Sequence, residues 1–204
     1  MEFDLIELSA ASKLLESYNF GFANEILHPI GKVLLYNTSV SRVGNLQVSQ
    51  LIPDNSEETC CIIIQGDLQV LGTLSNYLHQ NGSYQHGVNL VVLGNLEARS
   101  LISTNATVFV TNNVILKEVA YLYYDNGTSE LRVDETLSAK ALIVNDEHRT
   151  RIEILNIEHD LDLYHLSLQE LAEAIRPEYL GDEDDKVDHA ELIGALEAGN
   201  SVLV

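Results

Sequence analysis

Two histidines with two aspartates between them are the first residues here that could bind a metal ion. His159 and His165 lie six positions apart, with Asp160 and Asp162 between them. Imidazole and carboxylate groups bind zinc and other transition metals, but this spacing is not one that brings two ligands together on a helix or in a tight turn. We therefore predict no metal site and no cofactor.

A run of acidic residues near the C-terminus raises the possibility of calcium binding. The run lacks the central glycine and the bidentate glutamate of an EF-hand loop. A solvated linker between two helices explains it, and a docking patch for basic residues of a partner is the alternative. The candidate partner-binding residues in this run are Asp182, Glu183, Asp184 and Asp185.

The residue types of nucleophilic catalysis form no recognisable motif. No serine, cysteine or lysine lies in a nucleophile motif, and no glycine-rich loop precedes a helix to bind phosphate. Cys60 and Cys61 are neighbours whose side chains point to opposite faces of a strand, so we expect buried, reduced thiols, as in a cytosolic protein. The sequence predicts a protein that is not an enzyme.

Tyrosine is the most frequent aromatic residue, with 9 tyrosines against 4 phenylalanines and no tryptophan. Its side chain is large, stiff and amphipathic, which favours it at protein interfaces. The tyrosines at 121–124 either form such an interface or fill alternate strand positions, and those of the long insert at 75–87 are expected to be exposed. The candidate partner-binding residues are Tyr77, His79, Tyr84, His86, Tyr121, Tyr123 and Tyr124.

The charge of the chain limits the partners that it attracts. Its 204 residues include 31 acidic and 11 basic side chains, a net charge of -20, and 46% are hydrophobic, enough for a sizeable core. The segment 153–204 alone has 14 acidic and 2 basic residues. Such a field repels nucleic acids and anionic membranes, so we expect neither of these and predict a basic protein partner.

No stretch of the sequence resembles a targeting or membrane-spanning segment. The N-terminal "MEFDLIELSAASKLLESYNF" has acidic residues where a signal peptide has a positive region. No apolar run approaches the roughly 18 residues of a membrane span. We expect a cytoplasmic protein.

A repeated phrase predicts the fold. "IIIQGDLQVLGTL" begins at Ile62, "LVVLGNLEARSLI" begins at Leu90, and looser copies precede and follow them. Each copy holds short runs of alternating apolar residues bounded by Gly, Asn or Asp, which indicates strands. The anchoring apolar positions are Leu46, Leu68, Leu96, Val114 and Leu137, separated by 22, 28, 18 and 23 residues.

Stacked coils of such strands bury side chains that a single coil leaves exposed. We therefore predict a mainly β protein, a short right-handed parallel β-helix of about five coils. A leucine-rich repeat shares the period, but the return segments here are β-branched and aromatic. A left-handed hexapeptide helix needs an aliphatic residue at every sixth position, and Leu71 and Leu93 stay isolated.

Helices are predicted at both ends of the chain. "SLQELAEAI" has the capping-box spacing at Ser167 and Glu170 and ends at Pro177, and "DHAELIGALEAGN" begins at Asp188 and ends at Gly199. "LSAASKLLESY" predicts a short N-terminal helix. The expected divisions are an N-terminal capping segment (1–32), the parallel β-helix (33–157) and an acidic helical C-terminal cap (158–204).

The phrases "GDLQV", "VVLGNLEARSL" and "YLYYDNGTSELRVDETLSAKALIV", with the tail "VDHAELIGALEAGNSVL", resemble a bacterial family. Its members are small, acidic β-helix proteins, often labelled polymer-forming cytoskeletal or bactofilin-like. They are similar to cognate immunity proteins of contact-dependent growth inhibition and other polymorphic toxin systems. The helical ends and the acidic tail of this chain depart from a bactofilin, which argues against filament formation.

The resemblance and the charge together predict a cytoplasmic immunity protein. We expect it to bind and neutralise a cognate basic toxin domain, for example a nuclease, because an acidic protein is steered to such a target. The first alternative is a self-assembling bactofilin-like scaffold. The second is a polysaccharide-active β-helix enzyme.

Overall fold

In a computed structural model the protein is mainly β, with a mostly parallel sheet and few helices. The structure describes residues 3–18, 27, 31–53, 59–80, 83–85, 88–104, 106–123, 130–145, 149–182 and 185–204. The helices are α1 (Leu8–Ser17), α2 (Leu168–Leu171) and α3 (His189–Ala198), and 3-10 turns span Val48–Leu51 and Pro177–Tyr179. The strands are β1 (Asp4–Ile6), β2 (Lys32–Tyr36), β3 (Val40–Arg42), β4 (Leu46–Gln47), β5 (Thr59–Ile64), β6 (Leu68–Val70), β7 (Thr73–Asn76), β8 (Leu78–Gln80), β9 (Ser83–Gln85), β10 (Asn89–Val92), β11 (Leu96–Ala98), β12 (Ser100–Thr104), β13 (Val108–Val110), β14 (Val114–Leu116), β15 (Val119–Tyr123), β16 (Glu130–Val144) and β17 (Arg149–Asp162).

Three parallel ladders make up the large sheet. The first ladder contains β2, β5, β10 and β13, the second contains β3, β6, β11 and β14, and the third contains β4, β7, β12 and β15. The long strands β16 and β17 continue all three. Within the described residues the chain therefore passes through the ladders in the same order six times, against the prediction of about five coils. The boundary predicted at 157 falls inside β17.

The register of the second ladder follows the repeated phrase. Four predicted anchors lie opposite one another on consecutive strands: Leu68, Leu96, Val114 and Leu137. The prediction for Leu46 was wrong, because Val40 lies opposite Leu68, and Leu46 lies opposite Leu74 in the third ladder. The glycine before Leu46 is Gly44, which lies at the next corner along the pass.

Side chains alternate between the inside and the outside of the three ladders. The inward residues form one apolar core that runs through successive passes, including the fully buried Ile62, Leu68, Leu74, Leu90, Leu96 and Leu101. Outward residues of the second ladder, among them Gln69, Glu97 and Ile115, are exposed. The outward faces of the other two ladders are covered by helices.

Polar side chains form hydrogen bonds between successive passes at the corner between the first and second ladders. The Ser39 hydroxyl accepts a hydrogen bond from the backbone N–H of Asp67 at 3.0 Å, and the Asp67 carboxylate accepts one from the N–H of Asn95 at 2.7 Å. The Asn95 and Asn113 side-chain oxygens accept from the N–H groups of Asn113 and Thr136 at 3.2 and 3.3 Å. Each corner side chain thus satisfies a backbone donor of the following pass.

Glycine is required at this corner because successive passes approach each other closely. A Cβ at Gly94 would lie 2.6 Å from the backbone oxygen of Gly66, and one at Gly66 would lie 2.9 Å from the backbone nitrogen of Ser39. The φ angle of Gly66 is +150°, a backbone angle that residues with a Cβ rarely adopt. The Gly-Asp and Gly-Asn pairs of the two phrases are therefore structural, as predicted.

Helix α1 lies against the outward face of the first ladder. Its Ala11 and Leu15 are fully buried and pack in one cluster with Cys61, Ile63 and Phe109. Burial raises the pKa of the Cys61 thiol, so it stays protonated and unreactive. Cys61 is buried, as predicted, whereas Cys60 is only half-buried.

At the first pass, the edge of the first ladder is covered. Strand β1 pairs antiparallel with β2, with Leu5 opposite Leu34. The 3-10 turn places Val48 and Leu51 in the apolar core, and the Tyr36 hydroxyl donates to the backbone oxygen of Leu51 at 2.5 Å. Chain segments from outside the ladders thus complete this end of the core.

Replacing Gly94 by alanine tests the corner packing. The added methyl meets backbone atoms that cannot move independently, so we expect a loss of about 1–3 kcal/mol in the free energy of unfolding. Gly194→Ala is the matched control, because Gly194 is exposed in α3 and a Cβ there has no atom within 4 Å. The control should be neutral or gain up to about 1 kcal/mol. Urea unfolding measures both variants, and an equal effect would contradict the close stacking.

Candidate protein-binding surfaces

The C-terminal segment, residues 163–204, packs against the outward face of the third ladder. Leu192, Ile193 and Leu196 of α3 form one cluster with Ile102 and Ile143 of the sheet. Ile102 and Ile143 are fully buried. The segment therefore buries apolar residues that point away from the main core.

The predicted position of the C-terminal cap was wrong, because the segment covers a side of the sheet. The backbone oxygen of Glu197 accepts a hydrogen bond from the Asn45 side chain in the first pass at 2.5 Å. The backbone oxygen of Leu196 accepts one from the Thr73 hydroxyl in the second pass at 2.7 Å. The C-terminal segment thus reaches back across the passes, and none of its described residues pairs with the β17 edge.

The two helix starts are as predicted from the sequence. The Ser167 hydroxyl accepts from the N–H of Glu170 at 3.3 Å, and the Glu170 carboxylate accepts from the N–H of Ser167 at 2.8 Å. The Asp188 carboxylate accepts from the N–H of Glu191 at 3.1 Å, and Gly199 ends α3 with a φ of +77°. The sequence therefore predicted both helix starts and the end of α3, but α2 ends at Leu171 instead of continuing to Ile175. The sequence also did not predict which surface the helices cover.

Glu197 joins α3 to the polar side chains that lie beneath it on the third ladder. One of its carboxylate oxygens accepts hydrogen bonds from the Ser75 and Tyr77 hydroxyls, both at 2.8 Å. The sequence analysis did not single out Glu197, because helix periodicity alone does not indicate which sheet residue a given side chain meets. The two hydroxyls and the carboxylate orient α3 on the sheet.

Three of the predicted partner-binding tyrosines lie beneath or beside α3. The prediction that Tyr77 is exposed was wrong, since it is only 8% exposed. Tyr121 is fully buried and its hydroxyl bonds to Nδ1 of His189, and the Tyr123 ring lies 3.9 Å from the His189 ring between centroids. At 121–123 the residues fill strand positions, which was one of the two interpretations of the sequence.

Tyr123 also lines a cavity of about 240 Å³ with Tyr164, Lys186 and His189.

Several predicted residues fall outside the part of the chain that can be described. His86, Tyr124, Glu183 and Asp184 lie outside the described residues, as do the side chains of His79 and Tyr84. The backbones of His79 and Tyr84 lie opposite each other in the antiparallel pair β8–β9. The insert at 75–87 therefore includes two short strands, and its role in binding stays a prediction.

The outer surface of the C-terminal segment is acidic. Asp182 and Asp185 are both exposed there, and Lys186 is half-buried with its ammonium donating to the backbone oxygen of Tyr164 at 2.9 Å. Among the described residues of the segment, the exposed acidic side chains are Glu170, Glu173, Glu178, Asp182, Asp185, Asp188 and Glu191. The exposed basic residue on this surface is Arg176.

The candidate metal-binding residues His159, Asp160, Asp162 and His165 lie in the last part of β17 and in the turn after it. His165 Nδ1 contacts the Asp162 carboxylate at 2.7 Å, and the backbone N–H of Tyr164 donates to the same carboxylate at 2.9 Å. Partial burial raises the pKa of Asp162, but these bonds outweigh it and lower the pKa below its ordinary value. Within the described part of the chain, no three potential ligands lie close enough to hold a metal ion.

Strand β17 forms an open end of the core. Its inward Leu155 is 41% exposed, whereas Leu137, opposite it on β16, is fully buried. A cavity of about 310 Å³ opens there, lined by Leu142, Val144, Asn145, Thr150, Ile152, Leu155, Asp160 and Asp162. The sequence analysis missed this pass because "RTRIEILNIEHDLD" has no glycine at its corners.

No protein-family model matches the chain, and neither the curated proteins nor the solved structures include a match to it. Across the residues that the structure describes, no helix combines the length and the apolar character needed to cross a membrane.

Replacing Glu197 by alanine tests how the C-terminal segment is held. The Ser75 and Tyr77 hydroxyls lose their acceptor in a largely buried site, so we expect a loss of about 1–3 kcal/mol in the free energy of unfolding. Glu191→Ala is the control on the same helix, because that side chain is exposed, and it should change stability by less than about 0.5 kcal/mol. Equal losses in urea unfolding would show that Glu197 does not orient the segment.

The Asp162 turn predicts a defined pH dependence. Because the folded-state pKa of Asp162 is lowered, its stabilisation is present above the unfolded-state pKa and is lost as the pH falls through the folded-state pKa. In His165→Ala the pKa should rise toward the ordinary value of 3.8. Carboxyl-carbon NMR titration measures this, and an unchanged midpoint in the variant would rule out the His165 bond as a cause.

Proposed function

We propose that the three ladders form a short right-handed parallel β-helix of six coils and that the protein is an immunity protein. Parallel strands joined by crossovers in one sheet are nearly always connected with right-handed geometry, which supports this handedness. In this proposal the protein acts in the cytoplasm, where it binds and neutralises a basic toxin domain. The catalytic groups belong to the toxin.

The observation that carries this proposal is the acidic outer surface of the C-terminal segment. Among the described residues of the segment, seven carboxylates and one basic side chain, that of Arg176, are exposed. The segment is fixed to the sheet by a buried apolar cluster and by Glu197, so the charges are held on a rigid support. A fixed acidic surface accelerates association with a basic partner and matches the groove of an enzyme that binds an anionic substrate.

The alternative of an end-to-end scaffold is less well supported. Stacking of identical copies in one direction requires that both ends of the ladders be free to pair. Here β1 pairs with β2 at the first pass, and the 3-10 turn fills the core beside it. Among the described strands, β3 and β4 of the first pass also pair on one side only, but they have 3 and 2 residues against the 14 of β17. The first pass thus offers little edge for stacking, which favours a binding protein over a polymer.

Neutralising part of the acidic surface tests the proposed function. With the toxin domain encoded next to this protein as the ligand, Glu173→Gln combined with Glu178→Gln should slow association several-fold at low salt. The dissociation rate should change less, because the exposed charges act mainly through steering. Stopped-flow or surface plasmon resonance at two salt concentrations measures both rates.

The matched control carries the same loss of charge on a different face. Glu7 and Glu16 are exposed at α1, which covers the first ladder, so Glu7→Gln combined with Glu16→Gln should leave association nearly unchanged. An equal effect of both double variants would show that only total charge matters. Absence of a stable complex with the wild-type protein would rule out the immunity function for that toxin.

A further inference from the structure

The β17 edge is long and unpaired among the described strands. β17 has 14 residues and pairs with β16 in all three ladders, and no described strand lies on its other side. An unpaired strand edge presents backbone donors and acceptors to which another extended chain can add. This end of the sheet therefore has the backbone groups needed for strand addition.

The apolar core is incomplete beneath this edge. Ile152 and Ile157 occupy inward positions opposite Val133 and Ala139 of β16, and both remain partly exposed while packing against the core. Leu155 is 41% exposed and the neighbouring corner residue Ile154 is 57% exposed. One further pass would bury these side chains, as each earlier pass buries the one before it.

The inward column of the third ladder ends in carboxylates instead of apolar side chains. Leu142 and Val144 of β16 lie opposite Asp160 and Asp162 of β17. Asp162 is engaged by His165 and by backbone N–H groups. Asp160 is exposed, and no described residue donates a hydrogen bond to its carboxylate. The cavity of about 310 Å³ thus combines apolar walls with one unengaged carboxylate.

A second copy of this chain is a poor occupant for that end. A second copy that docks through its own β17 would bring the same inward carboxylates, and a copy in any orientation brings another net charge of -20. Like charges brought together in a partly buried interface cost free energy. The occupant must instead supply positive charge to Asp160 and apolar contacts to Ile152 and Leu155.

We propose that the open β17 end binds an extended, basic segment of a protein partner. The segment adds as a strand along β17, and one of its lysine or arginine side chains enters the cavity. The aliphatic part of that side chain packs on Ile152 and Leu155 while its cationic group pairs with Asp160. This inference rests on the proposed function, since it assigns a site to the basic partner.

A short fluorescent peptide that alternates lysine and valine tests the site directly. Fluorescence anisotropy should detect binding to the wild-type protein, and Asp160→Asn should weaken it about tenfold, as for the loss of one charge-assisted hydrogen bond. Glu7→Gln removes one exposed charge from the face covered by α1 and should weaken it less than about twofold. A peptide with glutamate in place of lysine should not bind.

Backbone amide NMR locates the bound peptide. The largest shifts are expected in β17 and in the β16 residues beside it. Absence of peptide binding, equal losses in Asp160→Asn and Glu7→Gln, or shifts confined to the C-terminal segment would each overturn the proposal. In the first of these cases the inward carboxylates serve only to stop further stacking.

The toxin domain separates this inference from the proposed function. If the toxin domain binds the wild-type protein but Asp160→Asn leaves its affinity unchanged and the peptide does not compete, the β17 site is wrong and the immunity function stands. If the toxin domain does not bind at all, the immunity function fails. The peptide measurements then still decide whether the β17 end is a basic-strand site.

Discussion

Each pass of this chain can bury its inward side chains only against the pass before it and the pass after it. The register between passes is therefore the constraint on which the core depends. The corner residues Ser39, Asp67, Asn95 and Asn113 enforce that register through hydrogen bonds to the backbone of the next pass. Glycine at the same corner permits the close approach that these bonds require.

The same constraint explains why the two ends of the ladders differ. At the first pass, β1 pairs with the edge of the first ladder and the 3-10 turn fills the core, while β3 and β4 keep short edges that no described strand pairs. At the last pass, the C-terminal segment turns aside and packs on the third ladder, where Glu197 and the buried leucines hold it. The result is a molecule with an acidic C-terminal segment and an incomplete end, the two features on which the proposed binding of a basic protein rests.

The sequence predicted the parts of the structure that depend on local patterns. The strands of the repeated phrase, their register at Leu68, Leu96 and Val114, and the caps at Ser167 and Asp188 all follow from alternation, glycine and capping residues. The position of Leu46 was mispredicted because a Gly-Asn pair marks a corner without indicating which corner of the pass it is.

The candidate site was harder to predict because it depends on contacts between distant segments. Tyr77 and Tyr121 are of a residue type that is common at protein interfaces. Here they contact α3 of the same chain. Glu197 lies about 120 residues from Tyr77, and only the folded structure places them together. Asp160 and Asp162 alternate with Leu161 in β17, and this alternation indicates an acidic inner end. The same two carboxylates are also typical metal ligands, so residue type alone does not distinguish the two interpretations.

Hydrogen exchange of the free protein, followed residue by residue by NMR, tests most directly the claim that the last pass is open. The account predicts that the interior strands β10 and β13 exchange slowly, close to the rate of global unfolding. In β17 the N–H groups that face away from β16 should exchange much faster than those that face it. Uniform slow exchange along the whole of β17 would show that this edge is already covered, and would contradict the account.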